Sequence, residues 1–207
     1  TFFQAAEVDY ILSNADAKVL FTKRALFERL TLEFSAHLTV ILLDDDEPET
    51  WSEQIKAYSP LPIADECEGA EMIYSSGTTG QPKGVRFEIT GQPLGTVSPL
   101  IQKRIDLHQL DANCRYLSTA PLYHSAPLRY NLLVSRLGGT SIIMKKFDAE
   151  AALRLIQDER ITHSQWVPTM FVRMLKLPDE VRIKYDVSSM TAAIHAAAPC
   201  PLPIKEK

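Results

Sequence analysis

The run Leu38-Thr39-Val40-Ile41-Leu42-Leu43 constrains this chain most. It is apolar almost without interruption and far too short to span a bilayer. A strand with no polar face is expected to be covered on both sides, as in parallel sheets. Its surroundings fit that expectation. Residues 4–15 place Val8, Ile11 and Leu12 on one helical face, 18–22 read as a short strand, and 25–32 are helix-like again. An acidic loop over 44–48, a short helix over 50–58 and the breaker Ser59-Pro60-Leu61-Pro62 follow. The alternation then resumes. Strands are expected over 115–119, 140–144, 161–167 and 190–197. Helices are expected over 125–137, 148–159 and Pro168–Leu175. Gly138-Gly139 is a stop for the first of these helices, Asp148 a cap for the second and Pro168 a start for the third. In the second helix Ala152, Leu153 and Ile156 are expected to face inward. Strands alternating with helices predict an α/β fold of layered, mostly parallel sheets flanked by helices. No internal repeat is visible, and the weakest joint is expected near residues 59–69.

At 207 residues the chain suits one or two domains. Its net charge of −4 gives no basic face for nucleic acid. No apolar run is long enough for a transmembrane helix, and Thr1-Phe2-Phe3-Gln4 has neither the charged start nor the cleavage site of a signal peptide. Cys67, Cys114 and Cys200 lie far apart, which suits a reducing cytoplasm better than a disulfide framework. No Cys/His cluster has the spacing of a zinc site.

The segment Met72-Ile73-Tyr74-Ser75-Ser76-Gly77-Thr78-Thr79-Gly80-Gln81-Pro82-Lys83-Gly84-Val85 carries the chemistry. Three glycines, four hydroxyls and one lysine fall within ten residues after an apolar strand. Glycines allow turns that present successive backbone N–H groups to an anion. Hydroxyls donate to phosphate oxygens or ligate Mg2+, and Lys83 adds a compact positive charge. The order is not G-x-x-x-x-G-K-[ST], because Pro82 precedes Lys83 and Gly84 follows it. A polar surface loop has much the same composition.

Residue order separates the two readings. Residues 72–83 resemble, without a mismatch, the phosphate-loop signature of the adenylate-forming (AMP-binding) superfamily. By that resemblance Ser75, Ser76, Gly77, Thr78, Thr79, Gly80 and Lys83 grip the β- and γ-phosphates of ATP, and Thr79 supports the magnesium. Pro121-Leu122-Tyr123-His124-Ser125 is similar to the family's second core motif. It would place His124 between the acyl pocket and the point of adenylate formation. Ile194-His195-Ala196-Ala197-Ala198-Pro199 resembles the small-residue segment that lines the adenine and acyl pocket, with alanines where many members carry Gly-Gly. Trp166-Val167-Pro168-Thr169-Met170 is similar to a region that shapes the acyl pocket in relatives, although core packing explains Trp166 and Met170 equally well. Arg86-Phe87-Glu88-Ile89 departs from the Thr-His that many relatives carry after Lys-Gly-Val.

The resemblance implies a two-step reaction. A carboxylic acid would become an acyl-adenylate at the expense of ATP and then pass to the thiol of coenzyme A. Lys83, Thr79 and His124 would be its catalytic residues. Pro121-Leu122-Tyr123-His124-Ser125 followed by Ala126-Pro127-Leu128 most resembles the acyl-CoA synthetase branch, and that resemblance favours fatty or other apolar acids. An amino-acid adenylation domain and a non-catalytic nucleotide-binding remnant are the alternatives. The chain is expected to be part of the large N-terminal domain of such an enzyme. It lacks an initiating Met, and it is expected to be inactive by itself.

Overall fold

The helical spacing of Val8, Ile11 and Leu12 produces α1 (Ala5–Asn14), in which Leu12 is buried. The structure is a computed structural model and describes residues 4–43, 50–75 and 81–206. The chain divides into two compact units, Thr1–Thr96 and Val97–Lys207. Residues 59–69 lie inside the first.

In the first unit β1 (Val19–Thr22), α2 (Arg24–Arg29), a 3-10 turn (Glu33–His37) and β2 (Thr39–Leu42) follow α1. Strands β1 and β2 are parallel, in register from Val19 against Thr39 to Thr22 against Leu42. The Asp9 carboxylate on α1 accepts from the backbone N–H of Glu33 (2.9 Å) and Phe34 (3.1 Å). It thereby satisfies donors that the start of a helical turn leaves open. The apolar run is less covered than its composition predicts. Thr39 is exposed, residues 40–42 are half-buried and Leu43 is 41% exposed. Among the described residues β2 forms a sheet with β1 and, beyond it, a single isolated bridge from Leu42 to Thr50, and a two-stranded sheet shields only part of each strand. The single helix expected over 50–58 is α3 (Trp51–Gln54) continued by a 3-10 turn (Ile55–Ala57). The acidic loop expected over 44–48 lies outside the described residues. Strands β3 (Ile73–Tyr74) and β4 (Gly84–Val85) then pair antiparallel, an exception to the parallel rule. Gly84 permits this pairing: a Cβ there would stand 2.4 Å from the Met72 methyl and 3.0 Å from the Tyr74 ring. The Tyr74 hydroxyl donates to Asn14 Oδ1 (2.7 Å) and so ties the hairpin to α1.

The second unit runs α4 (Pro99–His108), β5 (Arg115–Ser118), α5 (Ser125–Arg136), β6 (Thr140–Ile143), α6 (Ala149–Asp158), β7 (His163–Trp166), α7 (Pro168–Leu175), α8 (Asp179–Arg182), β8 (Ala192–His195) and α9 (Leu202–Lys205). Helix α4 is an element that its polar sequence hid. Its signals are Ser98, which accepts from Ile101 N–H, and Pro99 in the first turn. Asp148 accepts from Ala151 N–H at 2.9 Å, so the expected cap forms. Helix α5 ends in a Schellman motif. Gly139 N–H donates to Val134 O, Gly138 N–H to Ser135 O, and Gly138 takes φ +80°.

The four strands are parallel, in the order β6-β5-β7-β8. Adjacent residues of a strand face opposite sides, and the core divides accordingly. Leu117 and Trp166 pack under α6 and α7 with Phe147, Ala152, Ile156 and Met170. Tyr116 and Cys114 pack under α4 and α5 with Leu110, Tyr130, Leu133 and Val134. The central strand β7 is buried yet polar. His163, Ser164, Gln165 and Trp166 are all at most 3% exposed. His163 Nε2 lies 2.8 Å from His108 O, and a carbonyl only accepts, so Nε2 carries the proton. Its Nδ1 faces the Thr162 hydroxyl (2.7 Å) and the Cys114 thiol (3.5 Å). Ser164 Oγ donates to Leu117 O at 2.7 Å.

Two outcomes follow. A Cβ at Gly139 would meet Cys114 O at 2.8 Å and Val134 Cγ1 at 2.9 Å. Gly139→Ala is therefore expected to cost about 1–3 kcal/mol, read as a fall of several degrees in Tm. Partial burial first, then repulsion from Arg104 and from a protonated His163 ring, lower the pKa of His108 from its ordinary 6.5. The folded state thus binds this proton less readily than the unfolded one. The stability is fully present above pH 6.5 and is lost as pH falls below it. Melting curves between pH 7 and 5 should show His108→Gln losing less Tm than the parent.

Candidate functional site

In the first unit the hairpin fixes both described ends of the phosphate-loop motif. Ser75 N–H donates to Lys83 O at 3.0 Å, and Lys83 N–H donates to Ser75 Oγ at 3.0 Å. The Ser75 hydroxyl accepts in this arrangement, so its own proton remains available to a ligand. Both residues are exposed while Pro82 between them is buried. Among the described residues the Lys83 ammonium has no ion-pair partner. Ser76, Gly77, Thr78, Thr79 and Gly80 lie outside the described residues. Among the described residues no group of three His, Cys, Asp or Glu side chains gathers to hold a metal.

In the second unit topology picks out one edge. Strands β5 and β7 are neighbours, yet β5 is followed by α5 on one face and β7 by α7 on the other. Where the connections of adjacent parallel strands diverge, a crevice opens beyond their carboxyl ends, and α/β proteins bind ligands there. His124 lies in the link after β5, where it is the exposed N-cap of α5 with its ring 4.5 Å from that of Tyr123. Ala196, Ala197, Ala198 and Pro199 follow β8 at the same end of the sheet. Ala196 N–H donates to Trp166 O at 3.1 Å, which fixes the start of that segment to β7. Ala197 has φ +71°, a left-handed conformation unusual for a residue with a Cβ. Trp166 and Met170, by contrast, are core: 1% and 9% exposed, in one cluster with Leu117 and Phe147.

A buried polar layer underlies these loops, and nothing in the apolar periodicity announces it. Thr119 Oγ1 donates to Gln165 O (2.9 Å), Gln165 Nε2 donates to Trp166 O (3.0 Å), and Asn131 Nδ2 donates to Ser118 Oγ (2.9 Å). The available signal is a polar residue standing on an otherwise apolar strand or helix face. Among the described residues Asn131 Oδ1 and Trp166 Nε1 are buried without a partner. Each such atom costs about 1–3 kcal/mol.

Comparison with known proteins bears on this arrangement. The sequence profile described as "AMP-binding enzyme" matches residues 1–207. The chain belongs to that family. It is 29% identical over 216 residues to 4-hydroxybutyrate–CoA ligase 2 of Metallosphaera sedula, covering 96% of this chain and 38% of the relative. It is 31% identical over 210 residues to 4-coumarate–CoA ligase 1 of Petroselinum crispum, covering 96% and 37%. With a medium/long-chain-fatty-acid–CoA ligase of Mycobacterium tuberculosis it shares 30% over 213 residues, covering 93% and 35%. The chain therefore spans little more than a third of the length of these relatives. Among solved structures, ATP-bound MatB from Rhodopseudomonas palustris superposes with a TM-score of 0.75 at 22% identity, over 100% of this chain and 40% of that one. O-succinylbenzoate coenzyme A synthetase from Bacillus subtilis, in complex with ATP and magnesium ion, gives 0.71 at 21%, over 99% and 39%. These likenesses establish the fold, that of the N-terminal domain of adenylate-forming enzymes.

The left-handed residue gives a direct check on the small-residue segment. Ala197→Gly removes a steric penalty and adds unfolded-chain entropy, for a net gain of up to about 1 kcal/mol. Denaturant unfolding should show a higher midpoint for the glycine variant.

Proposed function

We propose that the whole protein is an ATP-dependent, AMP-forming acid–CoA ligase acting on fatty or other apolar carboxylic acids. The observation that carries this reading is the hairpin closure at Ser75 and Lys83. It leaves one hydroxyl proton and, among the described residues, one ammonium with no ion-pair partner at the two ends of a glycine- and hydroxyl-rich segment. In the first unit, Ser75, Ser76, Gly77, Thr78, Thr79, Gly80 and Lys83 bind the ATP phosphates. In the second, His124 and residues 196–199 bind the acyl and adenine portions. A carboxylate oxygen of the acid attacks the α-phosphorus and pyrophosphate departs. The thiol sulfur of coenzyme A then attacks the acyl carbonyl, AMP leaves, and the thiol proton is released. Such phosphorus chemistry asks the protein mainly for alignment and for donors aimed at developing charge. Magnesium bound with the nucleotide, supported by Thr79, would add to that charge neutralisation. The relatives' names support the ligase class, and the resemblance of residues 121–128 to the acyl-CoA synthetase branch supports the choice of acid. We further propose that these 207 residues do not complete the reaction alone and that the protein works in the cytoplasm. Among the described residues no helix is long and apolar enough to cross a membrane.

ATP–pyrophosphate exchange in the whole protein tests the reading. Lys83→Ala is expected to lower exchange by on the order of 100-fold without lowering Tm. Unchanged exchange would remove the phosphate-loop role. Across a panel of acids, the strongest exchange should come from fatty and other apolar acids; exchange with amino acids alone would overturn the substrate class.

A further inference from the structure

We infer that Asn131 is the positioning residue for His124, an inference that rests on the role proposed for His124 above. Residues 119–124 connect β5 to α5, and His124 is the last of them. Asn131, two turns beyond His124 on α5, reaches both anchors of this link. Its Nδ2 donates to Pro127 O in the first turn of α5 at 2.7 Å and to Ser118 Oγ, on the last residue of β5, at 2.9 Å. Pro127 O can only accept, so it fixes the orientation of the amide and turns Oδ1 away from it. One side chain thus pins the first turn of the helix to the end of the strand and sets the span that the His124 link must bridge.

The cost of this arrangement argues that it serves more than stability. Asn131 is 8% exposed and lies among Pro127, Tyr130, Leu133 and Val134, all buried residues of α5. Asparagine is a poor helix former, and its Oδ1 has no partner among the described residues. A leucine of similar size would suit the apolar surroundings and remove the unpaired Oδ1, although it would leave the buried Ser118 Oγ without its donor. Ser118, the other end of the bond, is 1% exposed and sits in the polar layer at the carboxyl edge of the sheet. What leucine cannot supply is the cross-link.

The test is a double-mutant cycle in the whole protein, read by kcat for acyl-CoA formation, KM for ATP, and Tm. Asn131→Leu is expected to lower kcat 10- to 100-fold, since small misplacements of a reacting group reach that size. Its Tm should change little, because loss of the unpaired Oδ1 offsets the lost bond to Ser118, and KM for ATP should not change. In a His124→Ala background the same substitution should cost no further activity. If the two losses multiply, or if Asn131→Leu leaves kcat unchanged, Asn131 does not act through His124 and the inference fails while the role of His124 stands. If His124→Ala alone leaves kcat unchanged, the role of His124 fails and the inference falls with it. Should Asn131→Leu not fold, Ser118→Ala cuts the same bond from the other side, and its cycle with His124→Ala decides by the same outcomes.

Discussion

A strand removed from water must find partners for the polar atoms it brings, and β7 does so for its His, Ser and Gln side chains though not, among the described residues, for Trp166 Nε1. Its solution organises the second unit. His163 spends its one N–H on the last carbonyl of α4, so that helix is docked through its end as well as through Ile101 and Ile105. Ser164 closes onto β5 through Leu117 O, and Thr119 returns the link from β5 to Gln165. Trp166 O accepts from Gln165 Nε2 and from Ala196 N–H, which connects β7 to the chain leaving β8. An apolar β7 would pack as well, but it would leave these neighbours free to slide, because apolar contact is not directional. Satisfied buried polar groups give a sheet one register and its loops one starting point.

Much of this was legible in the sequence wherever a local rule and the tertiary fold agree. Helix α7 begins at Pro168 because a proline's fixed φ and missing N–H suit a first turn. Asp148 and Gly138-Gly139 mark their helix ends for equally local reasons. The strands are shorter than their apolar runs by a residue or more at the ends, since pairing stops where the partner strand stops. Helix α4 escaped notice because Gln102, Lys103, Arg104 and Asp106 dilute its apolar stripe, although Ser98-Pro99 announces its start. The polarity of β7 was not legible: periodicity reports which side chains prefer burial, and says nothing of polar ones that burial can satisfy.

The candidate site divides along the same line. Ser75, Lys83, His124 and residues 196–199 are recognisable by their order in the chain, because the resemblance that singles them out lies in short contiguous motifs. Ser118, Asn131 and Gln165 make bonds that exist only after β5, β7 and α5 have come together. Ala197 is intermediate. The residue is visible as part of the small-residue segment, but its left-handed backbone is set by the fold around it. Strain of this kind persists only where neighbouring structure over-determines it, and the bond from Ala196 N–H to Trp166 O is part of that determination.

The chain's two tryptophans fall one in each unit, and their surroundings differ sharply. Trp51 is 41% exposed at the start of α3, edge-on to Phe21 at 5.3 Å. Trp166 is 1% exposed between Phe147 and Phe171. Indole emission shifts to the red in water and to the blue in apolar surroundings, so each unit carries a spectroscopic label of its own colour. The blue component should follow the loss of the four-stranded sheet, and quenching of the red one by a soluble collider should follow the first unit. Whether the two halves of this chain unfold together or in turn is thus written into its native fluorescence.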